Sequence, residues 1–208
     1  MDIKKIYDKY HIPPNLQKHM LRVAALSQIL IENWINQKLD KTSVTTACLF
    51  HDMANIIKYN FSNPPIFKRE GQKTDYWKNI QESIIHKYGH DVYKATLTIC
   101  HEIGMKNKII HLVGKLEWSN SLNLIKENRF ESMICIYSDM RIGPHGILSL
   151  RNRLKDLRSR NTSFDFEFTE KYAAALEKEI QKHISISVNS ITDRELNERF
   201  EKLLKREV

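Results

Sequence analysis

Ala47-Cys48-Leu49-Phe50-His51-Asp52-Met53-Ala54-Asn55-Ile56-Ile57 sets a histidine and an aspartate inside an otherwise apolar run. Val44, Ala47, Cys48, Phe50, Met53, Ile56 and Ile57 mark a helix starting at Asp40 or Thr42 that is apolar nearly all round, which puts it at the centre of a fold. An ionised carboxylate is costly to bury there unless something compensates it. A metal ion compensates strongly, as would an arginine, and imidazole beside carboxylate suits a first-row divalent ion. Adjacent helical side chains diverge by about 100°. The pair converges on one ion only if the ion lies between the two directions.

Outward from this helix the chain stays helical. Pro13-Pro14 starts a preceding helix, with Leu16, Met20, Val23, Leu30 and Trp34 at three- and four-residue steps and an expected end near Gln37. The pattern breaks between Tyr59 and Asp75, where Pro64, Pro65 and Gly71 predict a long loop. Helical spacing returns over Tyr76–Tyr88, Asp91–Ile103 and Lys106–Val113. After a loop at Ser119–Ser121 it resumes in an apolar helix over Phe130–Met140, closed by Gly143-Pro144. Leu148–Arg160 is highly charged, and Asn161–Phe168 reads as a loop whose three phenylalanines dock on the body. An amphipathic helix over Thr169–His183 follows, and Thr192-x-x-Glu195 is a capping-box pattern opening the last helix. The alternation at Ile184–Val188 suits a short strand, but one strand builds no sheet. The expectation is an all-α fold with a helical core over residues 1–150 and a C-terminal extension over 151–208 packing on it.

Two further positions repeat the polar-in-apolar pattern. Asp139 ends Met133-Ile134-Cys135-Ile136-Tyr137-Ser138, and His19 lies beside the apolar stripe of the first helix. Each has a bland reading: a hydrogen-bonded core histidine, or a helix-end aspartate opposing the helix dipole. In order, though, His19-Met-Leu-Arg22-Val23-Ala24, Leu49-Phe50-His51-Asp52-Met53-Ala54-Asn55-Ile56-Ile57-Lys58, and Tyr137-Ser138-Asp139-Met140-Arg141 resemble the three motifs of the HD-domain superfamily of metal-dependent phosphohydrolases. The resemblance covers roughly residues 12–150. It departs at Ala54, where many members have glycine.

The resemblance implies an HD-domain-like bundle in which His19, His51, Asp52 and Asp139 hold one divalent metal (Mn, Fe, Co, Ni, Zn or Mg). It implies hydrolysis of a phosphate ester, a nucleotide or a related small molecule, by metal-activated water, with Asp52 and His51 as the catalytic pair. Arg22, Lys58, Arg141 and His86 are the expected substrate contacts, with His101 and the turn residue His145 as further candidates. Glu70, Glu82 and Glu102 are candidates for a separate acid. Binuclear relatives use extra histidines; His86, His90, His101 and His111 lie in the relevant interval without a spacing that assigns a second metal. The competing reading is a metal- or nucleotide-binding module that does not hydrolyse.

Composition bounds the rest. The 208 residues carry a formal net charge of +8, from 33 Lys and Arg against 25 Asp and Glu. The basic residues are spread along the chain, which reads as a solvated surface rather than a nucleic-acid-binding face. The densest group is Arg151, Arg153, Lys155, Arg158 and Arg160. Cys48, Cys100 and Cys135 sit in apolar stretches with no CxxC spacing, as buried free thiols of a reducing compartment do. No apolar run approaches the roughly 20 residues of a membrane span. The expectation is a cytoplasmic protein without a membrane partner, with a homodimer open to it through its C-terminal helices.

Overall fold

A computed structural model describes residues 1–35, 37–61, 74–116, 120–160 and 166–208. The fold is all-α. Among the described residues there is no strand, only isolated bridges pairing Asp2 with Glu207, Trp34 with Ile184, and Ile142 with Ile147. Among them too, no helix is long and apolar enough to cross a membrane.

In chain order the helices are α1 (Ile3–Lys9), α2 (Pro14–Glu32), α3 (Lys41–Phe50), a 3₁₀ turn (Asn55–Lys58), α4 (Thr74–Tyr88), α5 (Val92–Glu102), α6 (Asn107–Gly114), α7 (Ser121–Lys126) and α8 (Phe130–Arg141). Then follow α9 (Leu150–Arg160), α10 (Phe166–Lys182), a 3₁₀ turn (Val188–Ser190), α11 (Asp193–Asn197) and α12 (Phe200–Leu204). The packing centres on α2, α3 and α8, which touch one another. Met20, Val23, Ala24, Leu30, Val44, Ala47, Leu49, Phe50, Ile134 and Tyr137 are fully buried among them. Burying each Val, Leu, Ile, Phe or Met side chain contributes roughly 1.5–3 kcal/mol, so this three-helix contact holds the site's scaffold rigid. α6 packs on α3 and α8, while α4 and α5 pack on the first 3₁₀ turn.

Local chemistry explains the boundaries. Pro14 occupies the first turn of α2, where its missing N–H costs nothing. Asp40 caps α3 by accepting from the Ser43 N–H at 3.0 Å. Thr192 and Glu195 form both halves of the expected capping box on α11.

α2 stops at Glu32, short of the expected Gln37. The Ile35 N–H donates to the His183 carbonyl and the Ser185 N–H to the Asn33 carbonyl, both at 2.9 Å, which pulls the chain out of the helix. α3 ends at Phe50 rather than near Ile57. The Ala54 N–H, which a continuing helix would direct at Phe50, donates instead to Thr96 Oγ1 at 3.2 Å. The chain leaves α3 as a turn and tightens into the 3₁₀ segment. α7 lies where no helix was expected, and α10 begins at Phe166, so the expected 161–168 loop is shorter. The docking of its phenylalanines, most of the 59–75 loop and Ser119 lie outside the described residues.

Residues 151–208 share the core of the preceding part. Leu154, Ala173, Leu176, Ile180, Leu196 and Leu203 belong to the same buried cluster as α2, α3 and α8. α10 packs on α7 and α8, and α11 and α12 pack on α2. The Arg199 guanidinium forms a two-point ion pair with Glu32 near the end of α2.

Candidate metal centre

Three elements bring four side chains to one point. His19 comes from the second turn of α2, His51 and Asp52 from the end of α3, and Asp139 from the last turn of α8. His19 Nε2 lies 2.9 Å from Asp139 Oδ1 and 3.7 Å from Asp52 Oδ2. His51 Nε2 lies 3.5 Å from Asp139 Oδ1 and 3.7 Å from Asp52 Oδ2. The two imidazole rings are 5.3 Å apart, centroid to centroid.

The end of α3 makes this convergence possible. In a continuing helix His51 and Asp52 would diverge; in the observed turn both face the same point. The His51 Nδ1–H donates to the Cys48 carbonyl at 2.8 Å, since a carbonyl can only accept. That bond fixes the ring's orientation and leaves Nε2 facing the two carboxylates, where it can carry a proton or meet a metal.

His51 is the most enclosed of the four, with its side chain 4% exposed, against 32% for Asp139. Its Nε2 is buried and makes no hydrogen bond. Burial pushes the imidazole pKa down, but the Asp52 charge, the Asp139 carboxylate and the Cys48 carbonyl outweigh it and push it up to about 10. Burial raises the Asp139 pKa, and its contacts to His19 and His51 outweigh that, holding the carboxyl well below its usual range. Both shifts report one fact: the two carboxylates make a strongly negative field around His51.

A metal fits this donor set. The ligand atoms of His19, His51 and Asp139 all lie within 4.8 Å of one another, so this group could hold a metal ion. Nitrogen and oxygen donors bind zinc-like ions at about 2.0–2.1 Å, which sets them roughly 3–3.5 Å apart around a shared ion. The 2.9 and 3.5 Å separations here match that spacing, and the orphaned His51 Nε2 is the atom such an ion would satisfy. Asp52 stands outside the group of three yet within 3.7 Å of both imidazoles.

The other expected site residues are scattered. Arg22 lies one turn beyond His19, half-buried, with its Nε buried and without a hydrogen-bond partner. Lys58 is exposed at the end of the first 3₁₀ turn, and His86 is exposed in the last turn of α4. His101 and His145 are exposed as well.

Arg141 is a correction. Two residues beyond Asp139, it is rotated by about 200° on the helix and points the other way. Its side chain is 3% exposed and donates to the Leu148 carbonyl, the Tyr137 hydroxyl and the Val188 carbonyl, beside Glu177 at 3.6 Å. It therefore ties α8 to the C-terminal segments.

Of the candidate acids, Glu82 is exposed and Glu70 lies outside the described residues. Glu102 accepts from Tyr88, Lys87 and Tyr10 in a separate surface cluster. Sequence reasoning assigned no role to Asn55, which donates from Nδ2 to Asp52 Oδ2 at 3.0 Å. Its signal was available: an Asp followed three residues later by a donor, at a turn.

No family model, curated protein or solved structure matches the chain. The HD-domain resemblance rests on the three quoted motifs and their order.

Proposed function

We propose that the protein is a metal-dependent phosphohydrolase acting on a nucleotide or a related small phosphate ester. The observation that carries this reading is the convergence of His19, His51, Asp52 and Asp139 around the buried, unpartnered His51 Nε2. The HD-type motif order supports it.

His19, His51 and Asp139 would hold the divalent ion, with Asp52 closing the set or standing beside it. Such an ion supplies Lewis-acid chemistry at a phosphorus centre. His51 is held in orientation by Cys48, so its Nε2 is placed for an ion that displaces its proton. An Asp52 that is not fully engaged in ligation accepts the proton of an attacking water, because its carboxylate borders both imidazoles. Arg22 is the phosphate contact: it rises from the same helix as His19, and its buried Nε has an unused donor.

Elemental analysis of the purified protein beside an identically prepared Asp139→Ala variant tests the reading, followed by a panel of nucleotides. About one equivalent of transition metal in the wild type, lost in the variant, with matching loss of phosphate release, is expected. Metal without turnover on the whole panel would replace the hydrolase by a binding module. No metal even after reconstitution would overturn both.

A further inference from the structure

We propose that Asn55 is a positioning residue for the candidate metal centre, fixing the Asp52 carboxylate against the two imidazoles without adding charge. The inference rests on the metal-site reading above and concerns a residue that lies within the second motif but to which the resemblance assigns no role.

Asp52 sits on a turn, where a carboxylate has two free torsions and no helix to direct it. Its 3.7 Å separations from His19 and His51 are ion-pair distances, too long to orient it by hydrogen bonding. Asn55 supplies the missing constraint twice. Its backbone N–H donates to the Asp52 carbonyl and its side-chain amide to Asp52 Oδ2, each at 3.0 Å. The oxygen it holds is the same one that faces both imidazoles. A carboxylate oxygen has two lone pairs, so a bond to Asn55 leaves one for a cation.

The residue type matters as much as the place. Lysine or arginine here would also reach Asp52, but would neutralise it and compete with a cation. An amide donates equally well and leaves the field of two carboxylates intact. Asn55 is itself held in place: Thr96 anchors the preceding Ala54 N–H, and the Ile57 N–H closes on the Ala54 carbonyl at 3.0 Å. The bond that ends α3 thus also delivers Asn55 to Asp52.

The test is titration of Co2+ into metal-stripped wild type, Asn55→Ala and Asn55→Ser, followed by visible absorption, with thermal melting of each metal-free protein as the fold check. Serine keeps a polar turn residue but is too short to span the Asp52 contact. Loss of a hydrogen-bonding partner of a metal ligand typically costs 10–100-fold in metal affinity. Both variants are expected to bind Co2+ about 10–100-fold more weakly, with an altered band shape, while keeping a wild-type metal-free melt. Affinity within twofold of wild type in either folded variant overturns the positioning role while the metal site stands. A wild type that takes up no Co2+ overturns the site itself, and the inference with it.

Discussion

Asp139 and Arg141 stand two residues apart on α8 and enter two polar clusters of opposite character. Around Arg141, donors and acceptors close on one another: its guanidinium meets the Tyr137 hydroxyl and the Leu148 and Val188 carbonyls, and Tyr137 in turn donates to Glu177 at 2.7 Å. Around Asp139, two carboxylates and two imidazoles face one another with a buried nitrogen left over. The first cluster is complete as it stands. The second is complete only with a cation, whether a proton on His51 or a metal shared by the group. Counting what is satisfied separates an architectural polar network from a site, even when both hang from one helical turn.

The comparison breaks most readily at Arg141. Arg141→Met leaves the Tyr137 hydroxyl and Glu177 without their buried partner. The expected cost is about 3 kcal/mol, read as a lowered urea midpoint, with metal stoichiometry unchanged in the folded protein. If the midpoint holds and metal is lost instead, the assignments of the two clusters must be exchanged.

Asp139→Ala should do the reverse. Its carboxylate pairs with both imidazoles but is partly exposed, so the metal-free protein loses roughly 1–2 kcal/mol, less than Arg141→Met costs. Ligand-linked stabilisation should vanish, however. Metal at a hundred times its dissociation constant adds about 2.7 kcal/mol to a folded protein. Chelation should therefore lower the melting temperature of the wild type and of Arg141→Met, and leave Asp139→Ala unmoved.

The smallest effect sharpens the contrast from outside both clusters. The Ser43 N–H, opposed by partial burial and helped by the Ser43 hydroxyl and Lys108, lowers the Asp40 carboxyl pKa to about 2. A depressed carboxylate contributes stability that is present above its unfolded value of about 3.9. That contribution is lost as pH falls through about 2. Asp40→Ala should cost about 1 kcal/mol at neutral pH, as lost N-caps do. Its deficit should shrink between about pH 4 and pH 2 in acid unfolding, with no change in metal content.

Much of this was legible in the sequence because apolar context makes a polar residue conspicuous. His51, Asp52 and Asp139 each stand out inside a run that would otherwise be all core, and α2, α3 and α8 follow from three- and four-residue spacing. What escaped was set by partners distant in sequence. The end of α3 depends on Thr96, more than forty residues away, taking the Ala54 N–H. Nothing in local propensity announces that, and the role of Asn55 depends on it. Arg141 was misassigned because proximity in sequence to Asp139 was read as proximity in space, whereas a two-residue step on a helix reverses direction. α10 begins at Phe166, three residues before the start that the spacing from Thr169 suggested.

The closure of the C-terminal segments on α2 has a consequence for the order of assembly. The end of the helix that carries His19 is fastened by His183, Ser185 and Arg199, all more than 140 residues downstream. Contacts of such long sequence separation are entropically expensive to close and form late in folding. α2 and α3 can pair early, but the far end of α2 is fastened only once residues 183–199 have been made. A cation would then meet a centre whose α2 helix is fastened at its far end by chain made much later, rather than guide the first pairing of α2 with α3.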